Sequence, residues 1–184
     1  MFDGLDQKYG LILADPAWTF RIRSEKGNAK SAQAQYPCMT AEQINEMPVA
    51  DLAAEQCVLV LWATAPLIPQ QLKTVEAWGF EYCTMGAWAK RSKSGEGWAF
   101  GTGYWLRSAA EFFIIGTRGR PRLKAKNERN LIVSKVREHS RKPDSIYRKC
   151  MALADGPYLE LFARQCWPGW DAWGNQKDKF TVLK

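Results

Sequence analysis

The sequence predicts an α/β fold, a mostly parallel sheet with helices on both faces. Three observations carry this. Several short runs are apolar throughout instead of alternating, as strands covered on both sides are. Helical segments alternate with those runs. The chain has 184 residues, 46% hydrophobic and 24% charged, which suits one domain with a substantial core, spanning residues 1–184.

In chain order, Tyr9–Ala14 reads as a buried strand closed by Asp15 and Pro16. Met39–Met47 reads as a short helix in which Thr40 is the N-cap and Gln43 completes a capping box. Cys57–Ala63 is a second buried strand, and Pro66–Trp78 a helix closed by Gly79. Tyr82–Ala89, Glu111–Thr117 and Leu131–Ser134 read as the third, fourth and fifth strands. Pro143–Ala154 is a helix with proline in its first turn and Gly156 beyond its end, and Tyr158–Phe162 is a further strand. Long loops are expected at 19–38, 90–104 and 118–142, polar and glycine-containing stretches of the kind that often bind ligands.

Ligands of open parallel sheets bind beyond the carboxyl ends of the strands. Asp15 follows the first strand, Thr64 and Ala65 the second, and Ala163 and Arg164 the last, so all are expected on one rim.

Several function classes lack their residues. There is no GxxxxGK[ST], and the glycine-rich stretch Gly95–Gly103 does not lead from a strand into a helix, which argues against a nicotinamide oxidoreductase. His139 is the only histidine, the five cysteines form no CxxC pair, and no metal site is expected. The cysteines are expected to be reduced and mostly buried. No apolar run reaches the roughly 18–20 residues of a membrane span and no signal peptide is visible, so a cytoplasmic protein without a membrane partner is expected. Net charge is +7. Between Arg118 and Lys142, ten Lys or Arg stand against Glu128 and Glu138, an excess larger than that of the whole chain. That stripe suits a polyanion or a solvated basic loop equally.

The stretch Asp15-Pro16-Ala17-Trp18 taken alone reads first as a strand-ending turn with a core tryptophan. Its second reading is chemical. A rim carboxylate, backbone carbonyls in a proline turn and a flat ring together suit a planar ligand bearing an exocyclic amine.

A longer series decides between the two: ADPAW at 14–18, YPCM at 36–39, VLWAT at 60–64, WGF at 78–80, WAK at 88–90, GTGYW at 101–105, EHSRKPD at 138–144, ELFAR at 160–164 and WGNQ at 173–176. This order resembles the adenosine N6-methyltransferase 70-kDa-subunit family, whose tetrad is DPPW, in its compact bacterial or phage branch. The resemblance implies a Rossmann-like methyltransferase that uses S-adenosylmethionine to methylate N6 of adenine. Asp15, Pro16, Ala17 and Trp18 would form the catalytic tetrad. Lys142, Glu160, Phe162, Arg164, Asn175 and Gln176 would hold the cofactor, and Tyr36 would lie in a substrate-facing loop.

Lys90 and Arg91 are expected to contact phosphates, with Tyr104 and Trp98 available to stack on bases. Core packing is expected for Trp62, Trp78 and Trp88; Trp105 is a third candidate to stack on bases, with core packing its favoured reading. Nucleic acid is thus the expected partner, DNA ahead of RNA, with a homo-oligomer or partner subunit also open. A non-catalytic nucleic-acid-binding subunit of the same fold is the alternative class. Two departures stand out: Ala17 replaces the second proline, and Gln165-Cys166-Trp167 stand where eukaryotic catalytic subunits of the family carry a His-Asn pair.

Overall fold

In the computed structural model, residues 1–19 and 38–181 are described. Seven strands form one sheet: β1 (Tyr9–Ala14), β2 (Ala53–Ala63), β3 (Glu81–Arg91), β4 (Ala110–Arg118), β5 (Leu131–Lys135), β6 (Tyr158–Leu161) and β7 (Trp170–Trp173). Their order is β5-β3-β4-β2-β1-β6-β7. Pairing is parallel except that β4 runs antiparallel to both β2 and β3. Six strands therefore point one way, and the mostly parallel expectation holds. The exception follows from the connection: β3 reaches β4 without a crossover helix, and that arrangement returns the chain antiparallel.

Three α-helices lie among the described residues: α1 (Ala41–Asn45), α2 (Ile68–Ala77) and α3 (Ser145–Leu153). The predicted capping box is present at α1. Thr40 Oγ1 accepts from Gln43 N–H, and Gln43 Oε1 accepts from Thr40 N–H at 2.9 Å. Gly79 closes α2 with φ +79°, a left-handed conformation that favours glycine.

Alternate residues of the central strands bury on opposite faces. Ile12, Leu59 and Leu161 pack with Ile44 of α1 and Val75 of α2. Leu11, Leu13 and Val60 pack with Ile146, Tyr147 and Cys150 of α3. Helices thus cover both faces, which explains why these strands carry no polar face. Trp62, Trp78 and Trp88 are buried as expected.

Four readings need correction. β7 was not foreseen. β3 extends through Arg91, so the 90–104 segment begins inside a strand. Trp105 is fully exposed instead of packed in the core, because it sits at the tip of an excursion beyond the sheet. Only Cys57 and Cys150 of the cysteines are buried, while Cys83 and Cys166 are exposed. No helix among the described residues is long and apolar enough to cross a membrane.

Candidate active site

Asp15 leaves β1 at the carboxyl rim, its N–H donating to Leu161 O of the neighbouring β6 at 3.3 Å. Pro16 then turns the chain. Trp18 N–H donates to Pro16 O, and Met39 N–H donates to Ala17 O, both at 2.9 Å. A parallel bridge joins Trp18 to Met39. The Ala17 carbonyl is therefore held by a hydrogen bond from Met39, which supplies fixity that the missing second proline would otherwise provide. Each carbonyl keeps a second lone pair. Trp18 is 6% exposed and packs in the core below the turn, so it braces the site without offering a stacking surface. Its Nε1 has no hydrogen-bond partner among the described residues.

A cavity of about 520 Å³ opens beside this turn, within the range of small-molecule sites. Asp15, Pro16, Ala17, Phe162, Arg164, Trp173, Asn175 and Gln176 line it. Ser140 also lines it. Thr64 and Ala65 follow β2 on the same rim, as expected from the parallel pairing, while the cavity itself lies over β1, β6 and β7. β7 explains how Asn175 and Gln176 reach it. The strand pairs in parallel with β6 and delivers Gly174 against Ala163, whose N–H donates to Trp173 O at 2.9 Å. A Cβ on Gly174 would meet Ala163 N at 2.7 Å, so the two rim turns pack backbone to backbone. Phe162 (φ +62°) and Ser140 (φ +59°) both hold left-handed conformations that are costly for such residues. Strain of this kind gathers where a surrounding site over-determines the backbone.

A chain of four charges runs under the turn. Lys142 Nζ lies 2.7 Å from Asp15 Oδ2 and 3.4 Å from Glu111 Oε2, and Lys90 Nζ pairs with Glu111 Oε1. The two ammonium groups also lie over the rings of Trp62 (5.4 Å) and Trp88 (4.8 Å). Burial pushes the Asp15 carboxyl above the usual range, opposed by the Lys142 charge and hydrogen bond. Burial acts on Glu111 in the same direction, but Lys142 and Lys90 together outweigh it and hold its carboxyl low.

Lys142 and Glu160 line a narrower cleft beside the main cavity. Glu160 Oε2 accepts from Tyr147 O–H at 2.7 Å. Burial pushes the Glu160 carboxyl up to about 8, against the stabilising Tyr147 bond. The Tyr147 hydroxyl is raised in turn by burial and by Glu160. The departing segment has a structural use. Gln165 Nε2 donates to Asp144 Oδ1 (3.0 Å) and to Tyr147 Oη (3.2 Å), and Trp167 stacks on Tyr147 at 4.4 Å. Arg137 clamps Asp144 through two bonds and also donates to Lys142 O, fixing the segment that aims Lys142.

Of the residues singled out from sequence, Asp15, Pro16, Ala17, Phe162, Arg164, Asn175 and Gln176 share one cavity. Lys142 and Glu160 stand directly beside it. Lys90 is corrected from a phosphate contact to an inward-facing partner of Glu111, its side chain 17% exposed. Arg91 stacks on Trp98 at 3.9 Å, and Tyr104 is exposed. Tyr36 lies outside the described residues. The basic stripe is not one free surface: Arg118, Lys124, Arg137, Arg141 and Lys142 all bond within the protein. Sequence reasoning missed Glu111, whose only signal was an acid opening an otherwise apolar strand.

A parallel-sheet rim carrying an acid-proline turn beside a cavity of this size fits a Rossmann-like methyltransferase. The MT-A70 family profile matches residues 9–176, and the chain belongs to that family. It is 31% identical to the Type II methyltransferase M.MunI of Mycoplasma sp, over 91% of this chain and 77% of that enzyme. It is 30% identical to human N(6)-adenine-specific methyltransferase METTL4 (94% of this chain, 38% of that protein). It is 27% identical to human N(6)-adenosine-methyltransferase catalytic subunit METTL3 (96% and 29%). The chain thus spans most of the bacterial relative and about a third of the human ones.

Proposed function

We propose that this protein, acting as one domain, transfers a methyl group from S-adenosylmethionine to the N6 amino group of adenine in DNA. The observation that carries the reading is Asp15. It lines the same cavity as Asn175 and Gln176, next to the turn whose Ala17 carbonyl Met39 holds. DNA is favoured over RNA because the chain spans 77% of the type II methyltransferase and 29% of METTL3. The five free thiols suit a reducing, cytoplasmic setting.

The cavity lining fits S-adenosylmethionine. The amides of Asn175 and Gln176 both donate and accept, as adenine and ribose edges require. Phe162 and Trp173 give apolar walls, and the wall also carries both signs of charge in Arg164, Lys177, Asp3 and Asp15, for an ammonium, a sulfonium and a carboxylate. When bound, the cofactor supplies an electrophilic methyl group.

The rest follows from the residues. An adenine amine is a weak nucleophile because its lone pair is delocalised into the ring. Lys142 engages Asp15 Oδ2, so Oδ1 can accept one amine N–H while a carbonyl of the Pro16-Ala17 turn accepts the other. Two acceptors favour a more tetrahedral nitrogen and stabilise positive charge that develops during attack. Lys142 opposes the effect of burial on Asp15 through its charge and a hydrogen bond, and Glu111 pairs with the same ammonium. The remaining work is alignment of the amine with the methyl carbon. The proton leaves the nitrogen after transfer, so Asp15 need not act as a base.

The test is methyl transfer from labelled S-adenosylmethionine to matched DNA and RNA oligonucleotides, with thermal stabilisation by the cofactor measured in parallel. DNA is expected to be labelled ahead of RNA. Asp15→Ala is expected to abolish transfer, since loss of one such contact costs about 10²–10³ in rate, while the variant stays folded. Retained activity in that variant would overturn the assignment. A folded protein with neither transfer nor cofactor stabilisation would instead be the non-catalytic binding subunit.

A further inference from the structure

The chain between β3 and β4 makes an excursion on the rim that carries Asp15. After β3 it turns over Ser92–Gly97, where Ser92 N–H donates to Gly97 O at 2.9 Å. It then runs outward and returns through a bridge between Gly101 and Ser108. Beyond that bridge, Leu106 N–H donates to Tyr104 O at 2.6 Å across Trp105, whose φ is +62°. This is a three-residue γ-turn of the rare positive-φ kind, centred on the bulkiest side chain. Gly103 permits it, because a Cβ there would lie 2.2 Å from Leu106 O. The turn points the indole fully into solvent, with Phe100 and Leu106 also about 80% exposed. A soluble surface does not ordinarily hold three such side chains together without a use.

The charge around this apolar tip selects the occupant. Arg107 lies over Phe100 at 5.3 Å, Arg91 lies over Trp98, and Lys93 stands between them in sequence, against the single acid Glu96. Cations flanking exposed aromatic rings suit phosphates flanking bases. The position fits as well. Glu111, at the start of β4, is two ion-pair steps from Asp15, and Trp105 precedes it by six residues, a reach of at most about 20 Å. An adenine in a duplex must leave its stack to meet Asp15, and proteins that open a stack commonly insert an apolar side chain into it.

We propose that Trp105 is a wedge that enters the base stack of duplex DNA beside the target adenine and occupies the space the adenine leaves as it moves to Asp15. Phe100 and Leu106 support the wedge, and Arg91, Lys93 and Arg107 hold the flanking phosphates. This rests on the methyl-transfer reading above.

The experiment compares the native protein with Trp105→Ala and Trp105→Phe. Labelled transfer is measured to a random-sequence duplex of about 200 base pairs and to the same DNA denatured to single strands. Trp105→Ala is expected to lose at least tenfold on the duplex and less than twofold on single strands, and Trp105→Phe to retain duplex activity. An equal loss on both substrates, or no loss on the duplex, overturns the wedge. So does a change in sedimentation of Trp105→Ala that accounts for the loss, which would make the tip a protein interface. If the native protein labels neither substrate, the transferase reading fails separately. Duplex affinity by fluorescence polarisation then judges the wedge, and unchanged affinity in Trp105→Ala overturns it.

Discussion

Replacing Glu160 by glutamine is expected to stabilise the fold by an amount that grows with pH. In the native protein burial raises this carboxyl from about 4.5 to about 8. In the unfolded chain it ionises near its ordinary value. Below pH ~4.5 both states are protonated and the group contributes no pH dependence. Between ~4.5 and ~8 the unfolded state has released the proton and the folded state has not, so stability falls by about 1.36 kcal/mol per unit. The window of about 3.5 units therefore removes about 3–5 kcal/mol by pH 9. Glu160→Gln keeps an oxygen that accepts from the Tyr147 hydroxyl and has no proton to lose. Groups that titrate alike in both proteins drop out of the difference. Urea unfolding at pH 5, 7 and 9 is the assay. The variant's advantage is expected to widen from pH 5 to pH 9 by about 3 kcal/mol or more. A difference constant across that range would refute the argument, because it would mean that Glu160 ionises alike in the folded and unfolded chains.

Three other substitutions test the site. Lys142→Met leaves Asp15 and Glu111 without their shared cation and is expected to cost about 3–5 kcal/mol in urea unfolding at pH 7. Part of that loss is expected to return when Asp15→Asn is added. Gly174→Ala forces a Cβ against Ala163 and is expected to cost about 1–3 kcal/mol, with a smaller thermal shift from S-adenosylmethionine. Ala17→Pro restores the second proline where Met39 already holds the carbonyl. Its unfolding free energy is expected to stay level or rise by up to about 1 kcal/mol, and a fall of more than that amount would show that the turn cannot accept the ring.

The elements set by local chemistry were legible. The capping box at Thr40 and Gln43 lies where the spacing places it, and the apolar run 9–14 is β1 residue for residue. β7 was not legible, because Trp170–Trp173 has only four residues, mixes an acid with aromatics and gains its pairing from β6. The Pro168-Gly169 turn before it and Gly174 after it were the available signals. Strand direction is not encoded in apolar periodicity, so β4 could be recognised as a strand but not as the reversed one. Within the site, Asp15, Pro16, Ala17, Phe162, Arg164, Asn175 and Gln176, which the resemblance singled out, line one cavity. The charge chain from Lys90 to Asp15 was hidden because its members lie far apart in sequence and meet only across β3, β4 and the segment before α3. Trp105 was misread for the opposite reason: a tryptophan's composition favours the interior, while its unusual φ exists only in three dimensions.

The bridge between Trp18 and Met39 has a consequence for how such a chain can change. It staples together the two ends of everything between Thr19 and Met39. The acid-proline turn is therefore secured by the sheet through Leu161 and by the bridge to Met39. Doubling the length of such a closed segment costs only about 0.6 kcal/mol in chain entropy. The position of Asp15 thus rests on bonds made at Leu161 and Met39.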